Sequence, residues 1–237
     1  MALTELSEQL HRIGASHVES ALDGCQLCTL LSNIHQETAV GAVRGRSRSA
    51  YGARGLLVAR PHLRLLFSEL KLDRIAEDAL GGAAFAIDAV FFDKRSDANW
   101  AVPAHQDVVV PVPFSADLAG VRNLRHRHGL TYGEPADHVL QELVALRVHF
   151  DDAGPENGGL SIVHGSHSLG RLSGAEILRI PSESYTRYDC RAGDVLLMRP
   201  LAVHRSGRAA LPTHRRVLQV LYGPREGWHA RGSADAA

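Results

Sequence analysis

Leu3, Leu6, Leu10 and Ile13 recur at helical spacing with charged and polar residues between them, which predicts an amphipathic surface helix rather than a signal peptide. A short extended piece follows around ASHVESAL, then a helical patch to about Gln36. The stretch GAVRGRSRSAYGARG reads as a flexible loop; phosphate binding is disfavoured there because no Gly-rich turn opens directly into a helix. PHLRLLFSELKLDRIAEDALGG is the clearest helix, with Pro61 near its start and Gly81-Gly82 at its end.

From Ala83 the texture changes to short apolar runs parted by Gly, Pro, Asn or Asp: AAFAIDAVFF, HQDVVVPV, LVALRVHF, LSIVHG, GDVLLM, AVHRS and RRVLQVLYG. Such runs predict a sandwich, barrel or jelly roll, mainly β with flanking helices. One domain over 1–237 is expected: a helix-rich N-terminal buttress at 1–82, a β core at 83–225 and a flexible tail at 226–237. A long polar insert at about 115–137 interrupts the core and carries Arg122, Arg125, His126, Arg127 and His128. Its length favours a lid or substrate loop.

Lys plus Arg and Asp plus Glu balance at 26 each, so charge gives no support for a nucleic-acid or membrane-surface partner. No segment approaches the roughly 18 consecutive apolar residues of a membrane span. Three cysteines, Cys25, Cys28 and Cys190, argue against a disulfide framework and for a reducing, cytoplasmic setting. Cys25 and Cys28 have the spacing of half a zinc knuckle but lack a second pair, and read as two semi-buried thiols on one helical turn.

Candidate chemistry begins with four His-x-acid pairs: His17/Glu19, His35/Glu37, His105/Asp107 and His149/Asp151. In a strand, residues i and i+2 share a face, so His-x-Asp delivers two ligand atoms to one pocket. His35 and Glu37 sit near a helix end and diverge, and His17/Glu19 precede the β-rich region, which leaves the other two pairs. An Fe(II) site that must also bind a cosubstrate and O2 uses two histidines and one carboxylate on one face. His204, 99 residues beyond His105 in a late strand-like piece, is the best third ligand. Arg215, eleven residues later at the start of the next strand, suits a buried distal carboxylate of 2-oxoglutarate, and a hairpin would return it beside His204. Ser206 shares the strand face of His204 and offers a hydroxyl to the same carboxylate.

The pieces HQD at 105–107, LRVHFDDAGPENGGLSIVHGSH at 146–167 and GDVLLMRPLAVHRSG at 193–207, with Arg215 beyond, resemble the phytanoyl-CoA dioxygenase family of Fe(II)/2-oxoglutarate-dependent oxygenases. The likeness extends more loosely through YGARGLL and FFDKRSDANW. It implies a double-stranded β-helix (jelly roll, cupin-like), with His105, Asp107 and His204 as iron ligands and Arg215 anchoring 2-oxoglutarate. Gln106 and Lys94 match positions that touch the cosubstrate in relatives. The segment HFDDAGPENGG then becomes a strand followed by a turn shaped by Asp151, Asp152 and Asn157, with Gly158-Gly159 permitting its tight backbone. His164 and His167 read as satisfied loop histidines. Arg147 and His149 share a strand face, so both line the cavity or both face solvent; with Trp100 they are candidates for the substrate pocket.

The activity so implied consumes 2-oxoglutarate and O2, releases succinate and CO2, and oxidises a small metabolite, in secondary metabolism. Relatives that halogenate lack the carboxylate, so Asp107 favours hydroxylation, with desaturation or cyclisation beside it. The basic cluster of the insert reads first as a solvated face and, beyond that, hints at an anionic or carboxylated substrate. Two other readings keep the fold: a jelly roll that binds a small molecule without catalysis, and a cupin-like isomerase or hydrolase using another metal. Serine hydrolysis is disfavoured by the lack of a Gly-x-Ser-x-Gly elbow.

Overall fold

Two β-sheets face one another, and the alternation of apolar and polar residues along each strand decides what lies between them. The fold is taken from a computed structural model that describes residues 3–35, 42–44, 50–112, 120–210 and 214–228. The larger sheet has the order β1 (Ala15–Val18), β12 (Val195–Met198), β9 (Val144–His149), β14 (Arg215–Pro224), β4 (Ala84–Lys94), β3 (Ala50–Ala53) and β2 (Ala42–Arg44). The smaller runs β11 (Tyr185–Tyr188), β10 (Leu160–Val163), β13 (His204–Ser206) and β5 (Val102–His105). Every strand pair is antiparallel, and the arrangement is the jelly roll that the sequence pattern predicts.

The outer face of the larger sheet is apolar: Val144, Leu146 and Val148 of β9, Val195 and Leu197 of β12, and Leu218 and Val220 of β14 are buried there. Helices α1 (Leu3–Ile13), α2 (Gly24–His35), α3 (Leu56–Ala59), α4 (Leu63–Glu69) and α5 (Leu72–Leu80) cover it with Leu6, Leu10, Leu30, Ile34, Leu63, Phe67 and Ala76. Each fully buried leucine here contributes on the order of 1.5–3 kcal/mol, so this layer holds the sheet flat against the helices. Tyr222 of β14 donates a 2.8 Å hydrogen bond to Asp73 of α5 and locks the two layers in register. The inner positions of the same strands are mixed: Ala145, Leu196, Met198 and Leu221 are apolar, and Arg147, Arg215 and Gln219 are polar and line the space between the sheets.

Several expectations need correction. Residues 61–82 form two helices, not one: Lys71 takes a left-handed conformation (φ 61°) between α4 and α5, a break that no Gly or Pro announces. α5 does end on Gly81, at φ 72°. The extended piece expected around ASHVESAL is β1, and the N-terminal third also supplies β2 and β3 to the larger sheet beside its helices. The apolar run at 105–112 is interrupted, with β5 ending at His105 and β6 (Val110–Pro111) pairing elsewhere. The insert holds a hairpin, β7 (Arg122–Arg127) and β8 (Leu130–Glu134), turning through His128 and Gly129 at φ 51° and 75°. Cys25 and Cys28 are exposed rather than semi-buried, and Cys190 is buried. Glu37, most of the Gly/Arg/Ser loop, residues 113–119 of the insert and 229–237 of the tail lie outside the described residues. No helix among the described residues is long and apolar enough to cross a membrane.

Candidate metal centre

A cavity of about 450 Å³ opens between the sheets, and three ligand groups converge in it. One nitrogen each of His105 and His204 and one carboxylate oxygen of Asp107 lie within 4.8 Å of one another. His105 and His204 are direct register partners on β5 and β13, which brings their ring centroids to 4.2 Å. Each ring is fixed by its own backbone: His105 Nδ1 is 2.9 Å from the Pro103 carbonyl oxygen and His204 Nδ1 is 2.9 Å from that of Ala202. A carbonyl only accepts, so Nδ1 carries the proton and the Nε2 lone pair faces the cavity, the tautomer a metal needs.

Asp107 arrives by a different route from the one its i+2 spacing suggests. The strand ends at His105; Val108 N–H bonds the Gln106 carbonyl at 3.1 Å and Asp107 N–H bonds that of Pro200 at 2.8 Å, so a tight turn aims the carboxylate. Asp107 Oδ1 is then 3.5 Å from His105 Nε2 and Oδ2 is 3.9 Å from His204 Nε2. Gln106 holds that turn. Its amide donates to the Gly170 and Leu201 carbonyls at 2.9 and 2.7 Å, and its oxygen accepts from Leu172 N–H at 2.8 Å. Its side chain is fully engaged with backbone and is not among the residues that line the cavity.

Charges in the cavity are unbalanced. Burial raises the pKa of Asp107, but His204, His105 and Arg147 outweigh it and hold the carboxyl well below its usual range. Burial pushes His204 down to about 4, against the pull of Asp107. Arg54, Lys94, Arg147 and Arg215 line the cavity against the two carboxylates Asp107 and Asp88. Arg215 and Lys94 are register partners on β14 and β4, 3% and 1% exposed. Burial and the neighbouring arginines push Lys94 down to about 7, and burial with Arg147 pushes Arg215 down to about 10. Arg147, on β9, has its pKa lowered by burial despite Asp107.

Partners for these cations are mostly neutral. Lys94 donates to Ser206 Oγ at 3.1 Å and the Gly207 carbonyl at 3.0 Å, and lies 5.2 Å from the Trp100 ring centroid. Arg215 donates to the Gly158 carbonyl, and glycine is required at that position because a Cβ would lie 2.6 Å from the Gly207 oxygen and φ is 66°. Arg147 donates to Gln219 Oε1, whose Nε2 is 3.5 Å from Asp107 Oδ2. The Nε atoms of Arg147 and Arg215 are buried with no hydrogen-bond partner among the described residues. Buried donors without acceptors are costly, so the donor set fits an anion and the triad fits a cation beside it.

Arg215 reaches the cavity from the opposite sheet, not through a hairpin from His204: β13 pairs with β10 and β5, while β14 lies between β9 and β4. Trp100, Arg147 and Ser206 line the cavity. His149 shares the inner face of β9 but sits behind the lining, 2% exposed, with neither ring nitrogen partnered among the described residues. Its rival-pair partner Asp151 instead binds Arg216 at 2.6 and 2.8 Å. His17 faces Asp194 at 2.9 Å, His164 bonds Tyr188 and His167 bonds the His11 carbonyl. The basic residues on β7 are exposed and none of them lines the cavity. Gln219, Arg54, Asp88 and Tyr132, which do line it, escaped the sequence reading, although a lone Asp88 or Gln219 inside an apolar strand run is a visible signal.

Two facing antiparallel sheets that close around two histidines and a carboxylate define a cupin-like double-stranded β-helix of the oxygenase class. The family model described as phytanoyl-CoA dioxygenase (PhyH) matches residues 31–217, and the chain belongs to that family of Fe(II)/2-oxoglutarate-dependent oxygenases. The fold is similar to that of the epimerase SnoN in complex with Fe3+, alpha ketoglutarate and nogalamycin RO, with TM-score 0.68 and 22% identity over 94% of this chain and 83% of that one. It is also similar to the carbocyclase SnoK from nogalamycin biosynthesis, with TM-score 0.66 and 16% identity over 93% and 83%. EctD from S. alaskensis with 2-oxoglutarate and 5-hydroxyectoine gives TM-score 0.71 and 14% identity over 94% and 76%. At such identities these likenesses concern the fold. No protein of curated function matches the chain in sequence.

Proposed function

We propose that the chain is an Fe(II)- and 2-oxoglutarate-dependent dioxygenase that hydroxylates a small-molecule metabolite of secondary metabolism. The observation that carries this reading is the triad, its two Nε2 lone pairs and one carboxylate facing a cavity that also holds Arg215 and Lys94. His105, Asp107 and His204 would hold the iron, leaving its other face open. Arg215 would bind the distal carboxylate of 2-oxoglutarate, with Ser206 and Lys94 beside it. Iron with 2-oxoglutarate supplies oxidation of a C–H bond by O2, with succinate and CO2 as the other products.

The protein's own groups orient that chemistry. Gln106 fixes the turn that aims Asp107, and the Arg147–Gln219 pair reaches the outer oxygen of the same carboxylate. Trp100 and the apolar part of the lining shield Lys94 and the cosubstrate end from water. Asp107 occupies the position that halogenating relatives leave without a carboxylate, which favours hydroxylation.

Anaerobic titration of metal-free protein with Fe(II) and 2-oxoglutarate tests this directly. A weak visible charge-transfer band is expected, followed by succinate release when O2 and a substrate from a metabolite library are added. No band in the wild-type protein would sink the assignment.

A further inference from the structure

The cavity continues past the triad to a second polar group, and the register of β4 against β14 locates it. Lys94 pairs with Arg215, Val90 with Gln219 and Asp88 with Leu221. Gln219 reaches Asp107, so the triad lies level with Val90. The Lys94–Arg215 end is four residues to one side, and Asp88 is two residues to the other, about 7 Å along the strand.

Asp88 faces the cavity because the strand is irregular there. Leu221 pairs with Asp88 and Tyr222 with Ala86, which leaves Ile87 as an extra residue. Ala84 and Ala86 pack on the helix layer, so uninterrupted alternation would send Asp88 there too. A bulge instead turns it inward, the device by which strands re-aim a side chain beside a site. The result is a carboxylate only 7% exposed that shares its end of the cavity with Tyr132, Arg54 and the apolar side chains of Val90, Val109, Val110 and Leu221.

Its partners define what it can recognise. Asp88 Oδ1 accepts from Ala89 N–H at 2.8 Å, and Oδ2 accepts from the Tyr132 hydroxyl at 2.7 Å. Burial still raises its pKa, against Tyr132, Ala89, Arg54 and His128. With the Tyr132 hydrogen engaged, the oxygens of both residues offer the cavity acceptors only. A ligand must therefore bring a donor. The lining carries Arg54, Lys94, Arg147 and Arg215 against Asp88 and Asp107, which opposes an ammonium and leaves a neutral hydroxyl.

We propose that Asp88 and Tyr132 form the substrate-recognition subsite and bind a hydroxyl group on a substrate whose body is otherwise apolar. This assignment rests on the dioxygenase reading for calling the ligand a substrate. Its test is calorimetric titration, without O2, of protein loaded with Fe(II) and 2-oxoglutarate. The probes are two matched sets: 1-adamantanol, 1-methoxyadamantane and 1-adamantylamine, and borneol, its methyl ether and bornylamine.

The alcohols are expected to bind about tenfold or more tightly than the ethers and amines, the value of a hydrogen bond to a buried charged acceptor. In Asp88→Asn and in Tyr132→Phe that preference should shrink to about threefold or less, because the charge-assisted acceptor is lost or misaligned. The charge-transfer band serves as the fold check in both variants. Equal binding of alcohols and ethers, tighter amines, a preference unchanged in both variants, or no alcohol bound at all would overturn the subsite. If the wild-type band is absent, the iron reading fails by itself, and the same titrations on metal-free protein still decide whether this end selects hydroxyls.

Discussion

His105 and His204 are opposite residues of one strand pair, with ring centroids 4.2 Å apart and each Nδ1 on a backbone carbonyl of its own strand or turn. The two nitrogens that face the cavity are thus set by sheet register rather than by flexible side chains. His105→Ala, His204→Ala and Asp107→Ala should each abolish the charge-transfer band with Fe(II) and 2-oxoglutarate. His149→Ala and Asp151→Ala should keep it, because Asp151 is held by Arg216 and His149 lies behind the cavity lining. Loss of the band in these two variants but in none of the first three would reverse the ligand assignment.

Arg215 faces Lys94 across β14 and β4, and its Nε lacks a partner among the described residues. Arg215→Ala should raise the 2-oxoglutarate requirement about 30-fold or more, the cost of removing one partner of a buried charge pair. The iron requirement should move far less. Arg215→Lys keeps the charge but loses the fork and should fall between. Steady-state succinate release at varied 2-oxoglutarate reads all three, and an unchanged requirement in Arg215→Ala contradicts the anchoring role.

Gln106 makes three hydrogen bonds of 2.7–2.9 Å to backbone around the Asp107 turn. Gln106→Leu leaves those groups unpaired and should cost about 2–5 kcal/mol of stability in metal-free protein. Iron binding should weaken with it, since the aim of Asp107 is lost. Urea unfolding and iron titration check both effects. A variant of normal stability whose only defect is a higher 2-oxoglutarate requirement would instead make Gln106 a cosubstrate contact.

The convergence of His105, Asp107 and His204, and the presence of Arg215 in the same cavity, were legible from residue type and spacing within apolar strand runs. How they meet was not. Asp107 comes from a turn anchored by Gly170, Leu172 and Leu201, contacts 60 to 100 residues distant that no local period encodes. Arg215 meets His204 across the sandwich, a consequence of strand order. The insert looked like a loop because β7 is exposed throughout, so no alternation marks it; its only signal was the His128-Gly129 turn. The bulge at Ile87 that turns Asp88 inward is likewise a matter of pairing, invisible in one strand alone.

His149 offers a pH test. Burial, then the charges of Arg147 and Arg215, push its pKa down to about 3, with Asp194 pulling the other way. In the unfolded chain the same imidazole titrates near 6.5. Between those values the unfolded state binds a proton that the folded state refuses, so this residue's contribution is fully present above about pH 6.5 and is lost as pH falls. The loss approaches about 1.4 kcal/mol per pH unit, or about 2 kcal/mol by pH 5. His149→Phe and His149→Gln, which cannot titrate, should therefore gain stability relative to the wild-type protein as the pH is lowered from 7.5 to 5. Urea unfolding of metal-free protein at several pH values gives the difference, in which the carboxylates common to all three proteins cancel. A difference independent of pH would mean that the imidazole titrates alike in the folded and the unfolded chain, and would overturn the burial argument.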